Sequence, residues 1–274
     1  MTLSTNVEDA ADETELEELG QKSARKHYWL VRAVSIVTVL LLWEVAGRQV
    51  SPLFMSYPSA IAAAAVQLAA SGELGEAFLS SMQTLTLGFV LASIAGVLLG
   101  LLIGRYRYVD AASDWLVNAL YSTPLVAITP LVILWFGLGF SAKLFIVFIL
   151  AIFPVLINTA SGVRNVSSQL IDVGNAFAAS EREIFVKVIL PASLPYMMTG
   201  IRLGIGRAII GMVVAEFFTA ITGLGAMIIK YGNQFDTAAM FVPIICLMLM
   251  GVVYTAIAIR FERWVAPWRY TEDE

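Results

Sequence analysis

The sequence predicts an all-α membrane protein with six transmembrane helices, and three observations carry that prediction. Of the 274 residues, 59% are hydrophobic and only 14% charged, with a mean hydropathy of +0.80. Soluble domains carry about 45–50% apolar and about 25% charged residues, so this chain lacks the polar side chains to cover a water-facing surface. Uncharged runs also recur near the length of ~20 residues that a helix needs to cross about 30 Å of hydrocarbon. Finally, Lys and Arg gather in alternate connections between those runs.

The spans follow in chain order. Residues 28–47 form the first, with Arg32 near its start, where it can snorkel to the headgroups, and Glu44 near its end. Residues 77–104 and 115–142 are two uninterrupted runs of 28 residues each. Pro124 and Pro130 fall in the latter, so its first part is expected to be bent or re-entrant. Residues 144–163 and 237–259 supply 20 and 23 more. Residues 196–220 complete the six, although Arg202, Arg207 and Glu216 interrupt them.

Six spans place both termini on one side, and the Lys/Arg bias selects which. Lys22, Arg25, Lys26, Arg32, Arg105, Arg107, Arg164, Arg182, Lys187, Arg260, Arg263 and Arg269 share one side, against Arg48, Lys143 and Lys230 on the other. Both termini and the long connection 164–195 are therefore expected in the cytoplasm of a bacterial (inner) membrane. The expected organisation is an acidic cytoplasmic tail over 1–27, a six-helix domain over 28–266 and a short cytoplasmic tail over 267–274. Seven acids crowd the first eighteen residues, which makes that tail a solvated extension and not a basic signal peptide.

Small residues repeat along two spans: Gly96, Gly100 and Gly104 in the second, and Gly200, Gly204, Ala208, Gly211 and Ala215 in the fifth. Such faces let helix backbones approach closely in lipid. The single cysteine, Cys246, excludes a disulfide within the chain, and one histidine, His27, excludes a zinc cluster. No metal, cofactor or nucleic-acid partner is expected. No G-x-x-x-x-G-K-[ST] phosphate loop is present, so any ATP and Mg would belong to a partner.

The connection after span four reads IDVGNAFAASEREIFVKVILPASLP over residues 171–195. Phe177, Ile184, Phe185 and Val188 could form one apolar face of a short helix, which could lie on the membrane or enter a groove on a partner. Its spacing resembles the EAA loop of ABC importer permeases: E-A-A, three residues, G, nine residues, then I-x-L-P. Asp172-Val173-Gly174 stand at E-A-A, Ala178 at the glycine, and Val188, Leu190 and Pro191 at I-x-L-P. The segments STPLVAITPLVILWFGLG, GIRLGIGRAIIGMVVAEFF and TGLGAMI extend the resemblance to the nitrate/sulfonate/taurine type of permease, from about Pro52 to Trp268.

That resemblance implies a type I ABC importer permease fold with a cytoplasmic coupling helix. It implies a second permease copy, two cytoplasmic ATP-binding-cassette ATPase subunits, and a periplasmic or lipid-anchored solute-binding protein. Asp172, Gly174, Phe177, Ala178, Ala179, Ser180, Glu181, Phe185, Leu190 and Pro191 would carry the ATPase coupling. The chain itself would be no enzyme. Relatives of this type serve sulfonates, taurine, nitrate, aromatic acids or vitamin precursors, so the solute is expected to be small and anionic without being specified further.

Arg207 and Glu216 stand as translocation-pathway residues, because a charge centred in a membrane helix costs about 2.5–3.5 kcal/mol on insertion scales and tends to face the bundle interior. Nine positions apart, they point to opposite sides of one helix. Arg207 could attract an anionic solute, or pair structurally with another helix, Glu44 being one partner. Glu216 could serve an outer gate, or bond helix ends in the adjacent TGLG turn. Two other classes compete with the importer reading. An ion-coupled secondary transporter would show inverted repeats around a midplane site, and a membrane-embedded enzyme would need a convergent set of catalytic groups; neither is evident in the sequence.

Overall fold

The structure, a computed structural model, describes residues 28–267, all helix, turn or loop. The acidic tail 1–27 with His27, and residues 268–274 including Trp268 and Arg269, lie outside the described residues. In chain order the helices are α1 (Tyr28–Gln49), α2 (Pro58–Ala70), α3 (Glu73–Arg105), α4 (Arg107–Ser122) and α5 (Thr129–Phe136). They continue with α6 (Phe140–Arg164), α7 (Ser168–Ala176), α8 (Glu181–Ile184), α9 (Leu190–Thr219), α10 (Leu224–Asn233) and α11 (Thr237–Val265).

Four of these are long and apolar enough to cross a membrane: α1, α3, α6 and α11. Two bent pairs raise the number to six if each is one span: α4 with α5, bent by 82°, and the 181–219 helical stretch with α10, bent by 50°. The run 115–142 is therefore bent in its first part, as its prolines lead one to expect, and the interrupted run 28–47 lies within one continuous helix. The cause of the first break is Pro124. It disfavours helical backbone in the residue before it, and Thr123 is extended at φ −72, ψ 137.

Helix α6 is the centre of the bundle. Of its most apolar stretch 61% is buried, against 6% for α1. Its neighbours are α3 on one side and α9 on the other, and glycines set both interfaces. On α3, Gly88, Gly96, Gly100 and Gly104 face Val147, Val155, Thr159 and Val163 of α6. The constant offset means that α3 and α6 run parallel. On α9, Gly200, Gly204 and Gly211 face successively earlier residues of α6, from Asn158 through Val155 to Val147, so these two run antiparallel. Ala208 and Ala215 continue that face and are fully buried.

Arg105, Arg164, Arg182 and Arg202 gather at the end of the bundle that carries α7 and α8. Arg105 pairs with Glu181 at 2.8 Å and Arg164 with Asp110 at 2.5 Å. Arg202 pairs with Glu262 of α11, an acid fully buried beyond the expected sixth run. At the far end Lys230 pairs with Glu73 at 2.7 Å. Glu44 also lies there. It accepts from Arg48 Nε at 2.8 Å and from the Ser59 N–H and hydroxyl at 3.0 and 2.7 Å, capping α2. It is not the partner of Arg207.

Candidate functional site

The connection between α6 and α9 is two short helices, not one. Helix α7 ends in a Schellman closure: the Ala178 N–H donates to Asn175 O at 2.9 Å and the Ala179 N–H to Gly174 O at 3.0 Å. This closure puts its turn residue in the left-handed region, and Ala178 sits at φ +54. The glycine of the resembled pattern is thus a backbone requirement, and alanine meets it at a strain of about 1–2 kcal/mol. Close approach to a partner is not needed to explain a small residue there.

Ser180 restarts the helix with a capping box. Its hydroxyl accepts from the Glu183 N–H at 3.3 Å, and the Glu183 carboxylate accepts from the Ser180 N–H at 3.0 Å. From Glu181 the chain runs through α8 and a π-turn over Phe185–Ile189 straight into α9. Leu190 and Pro191 open α9, where proline's missing N–H is tolerated by the wider π-turn before it. The loop is therefore continuous with α9. It is anchored twice more, by the Glu181–Arg105 ion pair and by Ile184 and Ile189 packed against Val163.

The expected apolar face is corrected by this break. Ile184 turns inward at 7% exposure, with Phe185 and Val188 partly buried beside it, while Phe177 stands out at 84%. Phe177 instead shares a stripe of α7 with Leu170 and Val173, which are 50% and 55% exposed. The spacing i, i+3, i+7 puts the three on one side, and Ile171 and Gly174 face back towards the bundle. The sequence expectation missed Leu170 and Val173. Their helical spacing is the available signal, and the helix break at Ala178 separates them from Ile184, Phe185 and Val188. Asp172 and Ala178 are exposed beside the stripe, and Ala179 is partly buried under it.

Arg207 is exposed on α9 and lines a cleft of about 270 Å3 with Tyr121, Thr123, Pro124, Leu125, Val126, Leu150 and Ile210. The α4–α5 break forms one wall of that cleft. Arg207 makes no side-chain hydrogen bond or ion pair among the described residues.

Glu216 does not line Arg207's cleft. It is fully buried, accepts from Ser81 Oγ at 2.7 Å and from the Gly225 N–H at 2.8 Å, and so bonds the TGLG turn. Ser81 Oγ in turn accepts from the Leu224 N–H at 2.8 Å. Lys143, which the sequence places in the connection between two runs, lies in the first turn of α6 at 4% exposure. Its ammonium donates to Thr222 O at 2.7 Å and Thr222 Oγ1 at 3.0 Å. Ser81 and Thr222 are not among the residues the sequence points to, and no local pattern pairs Lys143 with Thr222. Among the described residues no group of His, Cys, Asp or Glu is arranged to hold a metal ion.

Comparison with known proteins fits this architecture. The family described as binding-protein-dependent transport system inner membrane component matches residues 92–267. The SsuC permease protein of Bacillus subtilis (strain 168), named for aliphatic sulfonates transport, is 33% identical over 259 residues, covering 93% of this chain and 94% of its own. The nitrate import permease NrtB of Leptolyngbya laminosa is 34% identical over 178 residues, covering 65% and 64%. Among solved structures, an inward-facing MetNI methionine ABC transporter chain is similar at a TM-score of 0.55 and 20% identity, covering 68% of this chain and 93% of its own. The family match runs from within α3 through the broken α4–α5 helix and the α7–α8 loop to the end of α11, so this chain belongs to the binding-protein-dependent transport system inner membrane component family, where it is similar to permeases named for sulfonate and nitrate transport.

Proposed function

We propose that this ABC transporter permease subunit crosses the membrane six times and, with a second copy of itself, encloses a pathway for a small anionic solute. Both bent pairs count as spans in this reading, and the basic end of the bundle faces the cytoplasm. A periplasmic or lipid-anchored binding protein delivers the solute to the far end. ATP and Mg are held by two cytoplasmic ATP-binding-cassette subunits, and α7 is the coupling helix that docks on them.

The single observation that carries this reading is the exposed stripe Leu170, Val173 and Phe177 on α7. An apolar i, i+3, i+7 row on a helix at the basic end, where water is expected, suits a groove on a partner protein. The continuity from Glu181 into α9 then supplies the lever. As the ATPase subunits close, the docked loops move, α9 follows as a rigid body, and the bundle alternates between its two openings.

The test uses the reconstituted complex. Phe177→Ala is expected to weaken ATPase assembly by about 30-fold, the effect of losing an interface anchor worth ~2 kcal/mol, without moving the melting temperature. Ala178→Trp and Asp172→Arg are expected to leave ATP hydrolysis running while solute uptake stops. Unchanged uptake and unchanged co-purification of the ATPase in all three variants would overturn the docking role.

The cleft beside the α4–α5 break supports Arg207 as the group that attracts the anion. Arg207→Gln is expected to lower uptake of an anionic solute by about tenfold, the value of one charge-assisted hydrogen bond. Uptake in proteoliposomes at limiting solute checks this, and an unaltered rate removes Arg207 from the pathway.

A further inference from the structure

We propose that the groove between the end of α3 and the start of α8 holds one anionic phospholipid of the adjoining leaflet. The groove has a volume of about 520 Å3 and is lined by Leu98, Leu101, Leu102, Arg105, Tyr106, Glu181, Arg182 and Phe185. Its two ends differ in chemistry. Leu98 and Leu102 are 62% and 43% exposed along the last turns of α3, an apolar wall open sideways to hydrocarbon. Arg105 closes that helix, and Arg182 faces it from α8.

The change from leucine to arginine within one turn marks the depth at which acyl chains give way to headgroups. Charge balance then selects the occupant. Two guanidinium groups and one carboxylate line the polar end, which leaves a net charge of about +1 there. The Glu181 carboxylate occupies one Arg105 donor, at 2.8 Å, and a guanidinium carries five. Arg182 makes no side-chain hydrogen bond or ion pair among the described residues. A phosphodiester bearing one negative charge completes the polar end while its acyl chain covers Leu98 and Leu102. Basic pockets between helices at a cytoplasmic boundary suit this kind of headgroup.

Such a lipid would bridge α3 and the loop beside the Arg105–Glu181 ion pair and hold α8 against the bundle. The leaflet assignment rests on the orientation proposed above; the binding chemistry does not.

The experiment is lipid retention measured by native mass spectrometry on the full-length permease with its co-purifying subunits. The protein is taken from nanodiscs of phosphatidylcholine mixed with phosphatidylglycerol. The wild type is expected to retain phosphatidylglycerol in preference to phosphatidylcholine. Each arginine near a charged headgroup contributes on the order of fivefold in affinity, so Arg105→Gln with Arg182→Gln is expected to lower retention by roughly 25-fold. Leu102→Trp keeps both charges, fills the groove and is expected to lower retention as well. Lys187→Gln, on the solvent side and paired with Glu183, is expected to leave it unchanged. Equal retention of the two lipids by the wild type, full retention by the double variant, or an equal loss in Lys187→Gln would each overturn the site. So would displacement of the lipid by inorganic phosphate alone, which would mark a free-anion site. None of these outcomes depends on uptake or on ATPase coupling, so the importer reading stands or falls separately.

Discussion

Gly223→Ala is expected to cost this protein about 4–8 kcal/mol, where folded domains have only ~5–15 to lose. Gly223 has φ +110 and ψ 172, a conformation essentially reserved for glycine. A Cβ there would overlap Glu216 Oε1 and its carboxyl carbon. The carboxylate is fully enclosed and cannot retreat without releasing Ser81 Oγ and the Gly225 N–H. A buried charge stripped of its partners costs about 3–5 kcal/mol, and the backbone strain adds about 1–3. Apparent melting in detergent and the folded fraction recovered from membranes give the measurement. The cause is separable from the effect: in a Glu216→Ala background the same Gly223→Ala change is expected to cost only the strain. An equal cost in both backgrounds would falsify the clash.

The second large effect is expected at the parallel α3–α6 interface. A Cβ on Gly100 would meet Thr159 Cβ at 2.6 Å and the Leu156 carbonyl oxygen at 2.7 Å. The carbonyl is backbone and cannot rotate away, so α3 must move. Gly96 and Gly104 lie one turn either side against Val155 and Val163, and any movement that relieves Gly100 opens those contacts too. Overpacking of this kind costs about 1–3 kcal/mol for one added methyl. Gly100→Ala is expected at that level and Gly100→Val above it, read as a stepwise fall in melting temperature. Gly75→Ala, also on α3 but with nothing within 4 Å of a Cβ, serves as the comparison and is expected to be neutral or slightly stabilising. Alanine is the better helix former, so a matching loss at Gly75 would mean that something other than close approach to α6 sets the cost.

Much of this was legible along the chain. The apolar runs located the helices because a membrane imposes a length on each of them. The every-fourth-residue glycines announced the tight faces on α3 and α9 before the partner helix was known. The EAA spacing marked residues 171–191, and Pro124 marked the break opposite Arg207. The same local logic misleads where helical spacing is carried across the Schellman turn at Ala178. It also takes Lys143 for a loop cation, because a lysine in an apolar sequence reads as a boundary until its acceptors are seen.

What the sequence determined by itself was the class: an all-helical chain with several apolar helices, its family, and the position of the loop that resembles the EAA connection. Those features follow from composition, period and spacing, which are properties of neighbours along the chain. Tertiary structure alone decided which residues meet. Ser81 and Glu216 are 135 positions apart, and Lys143 finds Thr222 79 positions away. It decided that Glu216 secures a turn while Arg207 lines a cleft, and that Glu44 caps α2. It also decided that α3 runs parallel to α6. Such choices depend on the register of one packed helix against another, and register is set by the fit of whole surfaces, glycine against valine, which no local pattern records.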